Sequence, residues 1–300
     1  MTVVVVANPT AGRGRAATSI GRVAARLHAL GVDHRIRVAE SAEDLERLAR
    51  AAAEEGVEIV AVLGGDGSAG AAANGVVGTR AALAILPAGT GDDFARAIGA
   101  SKLEGAAELL VAPDIREVDV LRVTAGAQDR RVINIAGAGF DSEVNEAANA
   151  MSMRLGATGT YVAAVLTTLR RFEPARYEIA VDGERIVTEA MLVVVGNGRS
   201  YGGGMRVLPD ASIDDGLLDV CIVHKLSAPA FLRAFPRVFR GTHVRHPKVT
   251  MRRGRRVTVE ADRRIQVYGD GERIGSLPAI FEIEPGTLRL VVGPDARVVR

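Results

Sequence analysis

Apolar positions in the first third of the chain fall into short runs separated by helical stretches. Thr2–Ala7 (TVVVVA) is continuous and β-branched, as in a strand covered on both faces. Asn8–Arg15 reads as a loop. Ile20, Val23, Ala24, Leu27 and Leu30 then recur at helical spacing within Ala16–Leu30. Asp33–Val38 is a second strand. Ser41–Glu55 follows as a helix, with Ser41 as N-cap and Asp44 three residues on. Glu58–Leu63 and Ala82–Leu86 are the third and fourth strands. This β-loop-α alternation predicts a parallel sheet with helices on both faces, and such sheets bind ligands at the carboxyl ends of their strands.

The pattern changes near residue 115. Glu117–Ala125 and Arg131–Ala136 read as strands, and Ser142–Phe172 as largely helical. Strand-like runs follow at Tyr177–Val181, Arg185–Gly196, Leu217–His224, Lys248–Arg253, Arg256–Ala261, Ile265–Tyr268 and Ala279–Ile283. One helix, around Ala228–Arg240, interrupts them. Short strands divided by Gly, Asp and Pro predict an antiparallel sandwich. A last strand, Thr287–Val292, either ends that sandwich or returns to the first domain. The expected division is an α/β domain over 1–125, with 287–300 as its candidate completion, and a β-rich domain over 126–286.

Three hundred residues suffice for two such domains. With no Trp and only 4% Phe, Trp and Tyr, the core must be aliphatic. A net charge of +2 is too mild to argue for nucleic acid, but suits an anionic nucleotide or an acidic membrane surface. The single cysteine, Cys221, excludes an intramolecular disulfide and a Cys-based zinc site, and its apolar neighbours mark a buried thiol. The start MTVVVVANP lacks a charged signal region, and no apolar run reaches 18 residues. The expectation is a cytoplasmic protein.

Chemistry enters with Gly64-Gly65-Asp66-Gly67-Ser68, placed between a strand and a helix start. Glycines let backbone approach a bulky anion, and amides at a helix N-terminus suit phosphate. Asp66 is placed to hold a metal beside it. For one such pentapeptide alone, a plain turn is as good a reading. Two further loops share the placement: Asn8-Pro9-Thr10-Ala11-Gly12-Arg13-Gly14 after the first strand, and the Pro87–Arg96 loop (PAGTGDDFAR) after the fourth. Three such loops would converge on one crevice. No Walker A lysine loop and no G-x-G-x-x-G is present.

NPTAGRGRA, GGDGS, PAGTGDDFAR, IAGAGFDSEV, GGGMRVLPDASIDDGLLDV and the late DGE, in this order, resemble the diacylglycerol kinase catalytic family. Sphingosine and ceramide kinases are its relatives. The resemblance spans nearly the whole chain. GGDG is shared with NAD kinases and phosphofructokinases; the DDGLLDV block with the late DGE is far more specific. The resemblance implies a NAD-kinase- or phosphofructokinase-like α/β domain, a mainly antiparallel β-sandwich second domain with a few helices, and a kinase using ATP and Mg2+. An ATP site at Asn8, Pro9, Thr10, Ala11, Gly12, Gly64, Gly65, Asp66, Gly67, Ser68, Gly89 and Thr90 is implied. Asp66 and Asp93 would join a magnesium network, and Asp215 a structural magnesium with the carbonyls of Ser212 and Leu217. Asp270 and Glu272 would supply the catalytic carboxylate.

Phosphoryl transfer needs positioning, charge neutralisation and a base for the attacking hydroxyl. Glu272 is the favoured base, with Asp270 close behind. The plain alternative for Asp270-Gly271 is a hairpin turn, and for Asp214-Asp215-Gly216 a solvated turn. Asp210 and Asp219 read as a turn residue and an outward strand residue. A lipid would lie between the domains. The stripe Met151, Met153, Leu155, Tyr161, Val162, Val165, Leu166 and Leu169 is core by default and an acyl channel by alternative. Met205, Val207, Leu208 and Ile213 are further candidates for that channel; they flank Gly202–Gly204, read as a mobile loop that opens the site to the bilayer. Arg199, Arg233, Arg237 and Arg240 read as a solvated face or as headgroup contacts. The implied partner is a lipid met at the inner face of the membrane by peripheral contact, without nucleic acid; a homodimer is left open.

Four positions depart from the family pattern: Ser68 for Thr, Ala71 for Glu, Asp92 for Asn, and Ala39 for Thr. Two alternatives stay in view: GGDG suits a NAD-kinase-like enzyme with a soluble substrate, although the N-E pair expected after it is absent, and Ala71 and Asp92 suit a non-catalytic nucleotide- or lipid-binding regulator.

Overall fold

The computed structural model describes residues 2–150, 156–294 and 296. The first domain alternates β1 (Thr2–Ala7), α1 (Ala11–Ala29), β2 (Asp33–Val38), α2 (Ala42–Glu54), β3 (Ile59–Gly64), α3 (Asp66–Val76) and β4 (Ala82–Pro87). Short helices α4 (Asp93–Ala97) and α5 (Leu103–Glu108) follow. β1 pairs in parallel with β2 and β3, and β3 with β4. Every residue of β3 and β4 is buried, which explains runs without polar alternation. Ser41 caps α2: its Oγ accepts from Asp44 N at 3.1 Å, and Asp44 Oδ2 accepts from Glu40 N at 3.0 Å. Such a cap contributes about 1 kcal/mol. The loop expected over Asn8–Arg15 ends sooner, because α1 begins at Ala11; Gly12 and Gly14, at φ +58° and +85°, make its first turn irregular.

β5 (Asp114–Ala125) passes from the first core, at Val118 and Val120, to the second, at Leu121, Val123 and Ala125, and the second domain continues with β6 (Gln128–Val132), β7 (Ile135–Gly139), α6 (Phe140–Ala150), α7 (Gly156–Leu169), β8 (Ala175–Val181), β9 (Glu184–Gly196), β10 (Leu218–His224), α8 (Ala228–Ala234), β11 (Val249–Gly254), β12 (Arg256–Ala261), β13 (Gln266–Gly269), β14 (Glu272–Ser276) and β15 (Ala279–Val292). Its pairings are antiparallel, as in β8 with β9 and β12, and β7 with β9 and β13. The two expected strands at 279–283 and 287–292 are one, bulged between Glu284 and Leu288. β15 lies along β5 for its whole length and reaches β4 in parallel at Leu290–Leu83, so one sheet runs through both domains. Leu288, Leu290, Val291 and Val292 pack in the first core, whereas Phe281 and Ala279 belong to the second. Of the tail 293–300, residues 295 and 297–300 lie outside the described residues.

Several expected elements are subdivided. Arg131–Ala136 is not one strand: the chain breaks between β6 and β7, where an acidic side chain takes the backbone amides. The helix expected over Ala228–Arg240 is α8 followed by 3-10 turns at Phe235–Arg240 and Thr242–Arg245, since Pro236 has no N–H to continue the α ladder. Asp219, expected to face outward, is buried at 3% exposure. Cys221 is fully buried, and burial pushes its thiol up to about 12. No helix among the described residues is long and apolar enough to cross a membrane.

Candidate active site

Three backbone turns of the first domain meet at the carboxyl ends of β1, β3 and β4. They touch so closely that side chains are excluded. A β-carbon at Gly12, held at φ +58°, would collide with Ala88 O, and one at Gly89 would stand 2.5 Å from Gly65 Cα. Asn8 ties the first turn to the second, its Nδ2 donating to Ser68 Oγ at 3.0 Å, while its Oδ1 accepts from Thr10 N and Oγ1 at 3.1 and 2.7 Å. Gly65 is the N-cap of α3, so the first amides of that helix are free to face an anion. The third turn is closed by Asp92, whose Oδ1 accepts from Gly89 N at 2.9 Å.

The opposite wall comes from the turn between β13 and β14. Asp270 has φ +50°, and its carboxylate fills a nest of three amides: Oδ2 accepts from Ile133 N at 2.8 Å, and Oδ1 from Asn134 N at 3.1 Å and Ile135 N at 3.3 Å. This nest breaks the strand expected over Arg131–Ala136. Burial, above all, pushes Asp270 up to about 7 against the three amides, and the nearby Asp66 adds to the rise. Glu272 projects towards the glycine turn: a β-carbon at Gly67 would sit 3.0 Å from its Oε1. Desolvation and then the charge of Glu43 raise Glu272, while Arg130 acts against them.

A cleft of about 290 Å3 is lined by both walls together, with Asn8, Ala11, Gly12, Gly65–Ser68, Gly89–Gly91, Asp270, Gly271 and Glu272. The domains are also clamped beside it. Asn74 on α3 donates to Arg131 O at 2.7 Å and accepts from Arg131 N at 3.0 Å. Asp93, 1% exposed, accepts from Arg96 at 2.6 Å and from Gly203 N at 2.6 Å. The Gly202–Gly204 loop, read as mobile, is thereby tied to the first domain.

The carboxylates offer hard oxygen donors of two kinds. Asp66 accepts from Asp93 N at 3.2 Å and Phe94 N at 3.1 Å; burial, and then the Asp93 charge, raise it. Each Asp66 oxygen accepts one amide bond, keeps a lone pair and faces the cleft, whereas Asp93 is buried behind the lining and paired with the Arg96 guanidinium. At the second candidate, Asp215 Oδ1 accepts from Leu217 N at 3.0 Å, and Arg253 pairs with Asp215 and Asp219. Ser212 Oγ donates to Asp214 at 2.7 Å, and buried Asp119 accepts from Gly216 N at 2.6 Å and Gly286 N at 2.9 Å. Asp219 Oδ2 is buried without a partner, and burial, first, pushes the group up to about 6. Excess carboxylate with an orphaned oxygen fits a hard cation. Among the described residues, no three acidic, His or Cys side chains are arranged to hold an ion by themselves.

Two features lay outside the sequence reading. Asp141, at the start of α6, is buried, is pushed up to about 6 by that burial, and has no partner for Oδ1. Its only sequence signal is the FDSEV end of IAGAGFDSEV. With Tyr201 it lines both a cavity of about 140 Å3 beside Asp66 and Asp270 and a tighter apolar cavity walled by Phe140, Leu192, Phe231 and Phe235. Arg15 is the second: with Arg96 it offsets the charge of Asp92, which burial otherwise raises. Asp92 therefore supplies through Oδ1 the acceptor that an Asn would supply. Ala71 lies buried beside a second polar cavity, lined also by Arg130 and Glu272. Of the apolar stripe, Val165 and Leu169 are buried and Leu166 is 43% exposed; Met151, Met153 and Leu155 lie outside the described residues, as do the side chains of Tyr161 and Val162.

Comparison with known proteins fits this geometry. Residues 2–123 match the diacylglycerol kinase catalytic domain, and residues 134–292 the YegS C-terminal NAD kinase β-sandwich-like domain. The chain is 37% identical to a diacylglycerol kinase of Mycobacterium tuberculosis, over 96% of this chain and 94% of that one. It is 29% identical to a diacylglycerol kinase of Bacillus subtilis, over 92% and 91%. The crystal structure of a candidate diacylglycerol kinase of Bacillus anthracis strain Sterne superposes with a TM-score of 0.81 at 27% identity, covering 98% of this chain and 96% of that one.

Proposed function

Because the chain belongs to the diacylglycerol kinase catalytic-domain family, a family of lipid kinases, we propose that it transfers the γ-phosphoryl group of ATP to the free hydroxyl of diacylglycerol or a similar lipid alcohol. The observation that carries this reading is Glu272 facing the Gly67 turn across one cleft.

The glycine turns would hold the triphosphate through main-chain amides, with the γ-phosphate directed at the second domain. The lipid hydroxyl oxygen attacks the γ-phosphorus, the bond to the β–γ bridging oxygen breaks, and ADP leaves. The proton of the hydroxyl passes to a carboxylate oxygen of Glu272. Asp270, with both oxygens held by amides, shapes the turn that aims Glu272. Asp66, with Asp93 behind it, would hold a magnesium ion, which when bound neutralises phosphate charge; the Asp215 cluster would hold a structural one. Asp141 and Tyr201 stand where the glycerol end of the lipid would pass from the apolar cavity to the cleft. At about 80 Å3, that cavity admits a short stretch of hydrocarbon, so a full acyl chain requires its walls to part.

The test is phosphate transfer from labelled ATP and magnesium, offered diacylglycerol in mixed micelles and, separately, NAD. Labelled phosphatidic acid is expected. Label on NAD alone would replace this reading with a soluble-substrate kinase, and nucleotide binding without any transfer would replace it with a regulator.

A further inference from the structure

One surface of the second domain has a composition unlike the rest of the chain. From Val220 to Val259 the sequence carries ten Lys or Arg and no Asp or Glu, in a chain whose net charge is only +2. Some of these cations are neutralised: Lys225 by Glu189, Arg253 by Asp215 and Arg256 by Glu282. Arg233, Arg237, Arg240 and Arg245, on α8 and the 3-10 turns after it, are exposed and make no ion pair among the described residues.

The same segment exposes two large apolar side chains, Leu232 at 42% and Phe239 at 47%. Phe239 is the outer end of an aromatic ladder. It meets Phe235 edge-on at 5.9 Å; Phe235 stacks on Phe231 at 5.8 Å; Phe231 meets buried Phe140 at 4.9 Å. Phe140, Phe231 and Phe235 line the apolar cavity, and Asp141 and Tyr201 join that cavity to the one beside Asp270. Unpaired arginines alone would suit any polyanion. Arginines around exposed Leu and Phe, backed by a path of rings into an apolar cavity, suit an anionic surface with hydrocarbon beneath it.

We infer that the segment Ala228–Arg245 docks on the anionic face of a lipid bilayer, with Leu232 and Phe239 entering the acyl boundary and the four arginines at the headgroups. The choice of a bilayer over another polyanion leans on the lipid-kinase reading as well as on the two exposed apolar side chains. Docked this way, the aromatic ladder connects the bilayer with the apolar cavity.

Sedimentation of the full chain with vesicles measures the docking without nucleotide. Vesicles of phosphatidylcholine mixed with phosphatidylglycerol should bind the protein, less so as salt rises, and phosphatidylcholine alone should not. Arg233→Gln, Arg237→Gln and Arg240→Gln together should lower the partition constant about 100-fold, about five-fold per charge. Leu232→Ser with Phe239→Ser should lower it further at an unchanged salt slope. All five positions are exposed, so the arginine variant should keep the wild-type Tm, the Leu232/Phe239 variant should melt only slightly lower for the lost edge contact with Phe235, and both should keep wild-type turnover of a short-chain diacylglycerol dispersed as monomers. Equal partitioning of wild type and the triple variant would overturn the inference, as would equal binding to both vesicle types or a preference for duplex DNA over the mixed vesicles. Intact docking without turnover of the short-chain substrate would support the surface and count against the kinase reading.

Discussion

On the first-domain side of the cleft, Gly12, Gly65 and Gly89 approach other backbone so closely that a β-carbon has no room. On the second-domain side, the groups that matter are the side chains of Asp270 and Glu272, carried on a two-strand hairpin. The contrast follows from what each wall meets. A triphosphate offers the same oxygens whatever it is attached to, and main-chain amides match them with no side chain at all. A hydroxyl must lose a proton, which amide N–H groups cannot accept and a carboxylate of suitable pKa can. The first wall should therefore fail when side chains are added, and the second when their chemistry changes.

The largest effect is expected at Glu272. Glu272→Gln keeps the shape and removes the base, so kcat should fall about 100- to 10,000-fold with ATP binding nearly unchanged. In the wild type the base must be ionised; Glu272 is solvent-exposed, yet partial desolvation by the facing cleft wall, and then the Glu43 charge, raise it above the 4.5 of an ordinary glutamate. Activity should thus decline as pH falls through a value above 4.5, a limb read from kcat/KM against pH; a limb at or below it would contradict the assignment.

An intermediate effect is expected on the glycine wall. Gly89→Ala forces its β-carbon against Gly65 and Asp92, which should cost about 1–3 kcal/mol of stability and weaken ATP binding more than it lowers kcat. Thermal melting with nucleotide titration checks both. The smallest effect belongs to Asp92→Asn. The oxygen that accepts from Gly89 N is retained, and one negative charge beside the phosphates is lost. ATP affinity should rise by about five-fold or less, the scale of about 1 kcal/mol for a partly screened charge, with Tm little changed.

Much of this contrast was legible in the sequence because local rules determine it. TVVVVA and EIVAVL have the run length of doubly covered strands, and the three glycine loops sit where such strands end. Ser41 and Asp44 fixed a helix start through bonds that span four residues. What escaped depends on distant partners. The break between β6 and β7 exists because Asp270, more than 130 positions away, takes the amides of Ile133, Asn134 and Ile135. Strand alternation points Asp219 outward because it cannot show that Arg253 and Asp215 lie beside it. The charge that Asp92 brings in place of Asn is offset by Arg15 and Arg96, which no local pattern in the sequence places beside it. The hairpin strand β14 has no signal in the sequence, because ERIGS has too little apolar character to stand out; it is held by pairing with β13.

The shared cleft itself is tested most directly by amide hydrogen exchange with and without ATP and magnesium, in the absence of lipid. Nucleotide should slow exchange at Gly65–Ser68 and, in the same experiment, at Gly271 and Glu272 of the other domain. Slowing confined to residues of the first domain, with the 270–272 turn unaffected, would contradict the account.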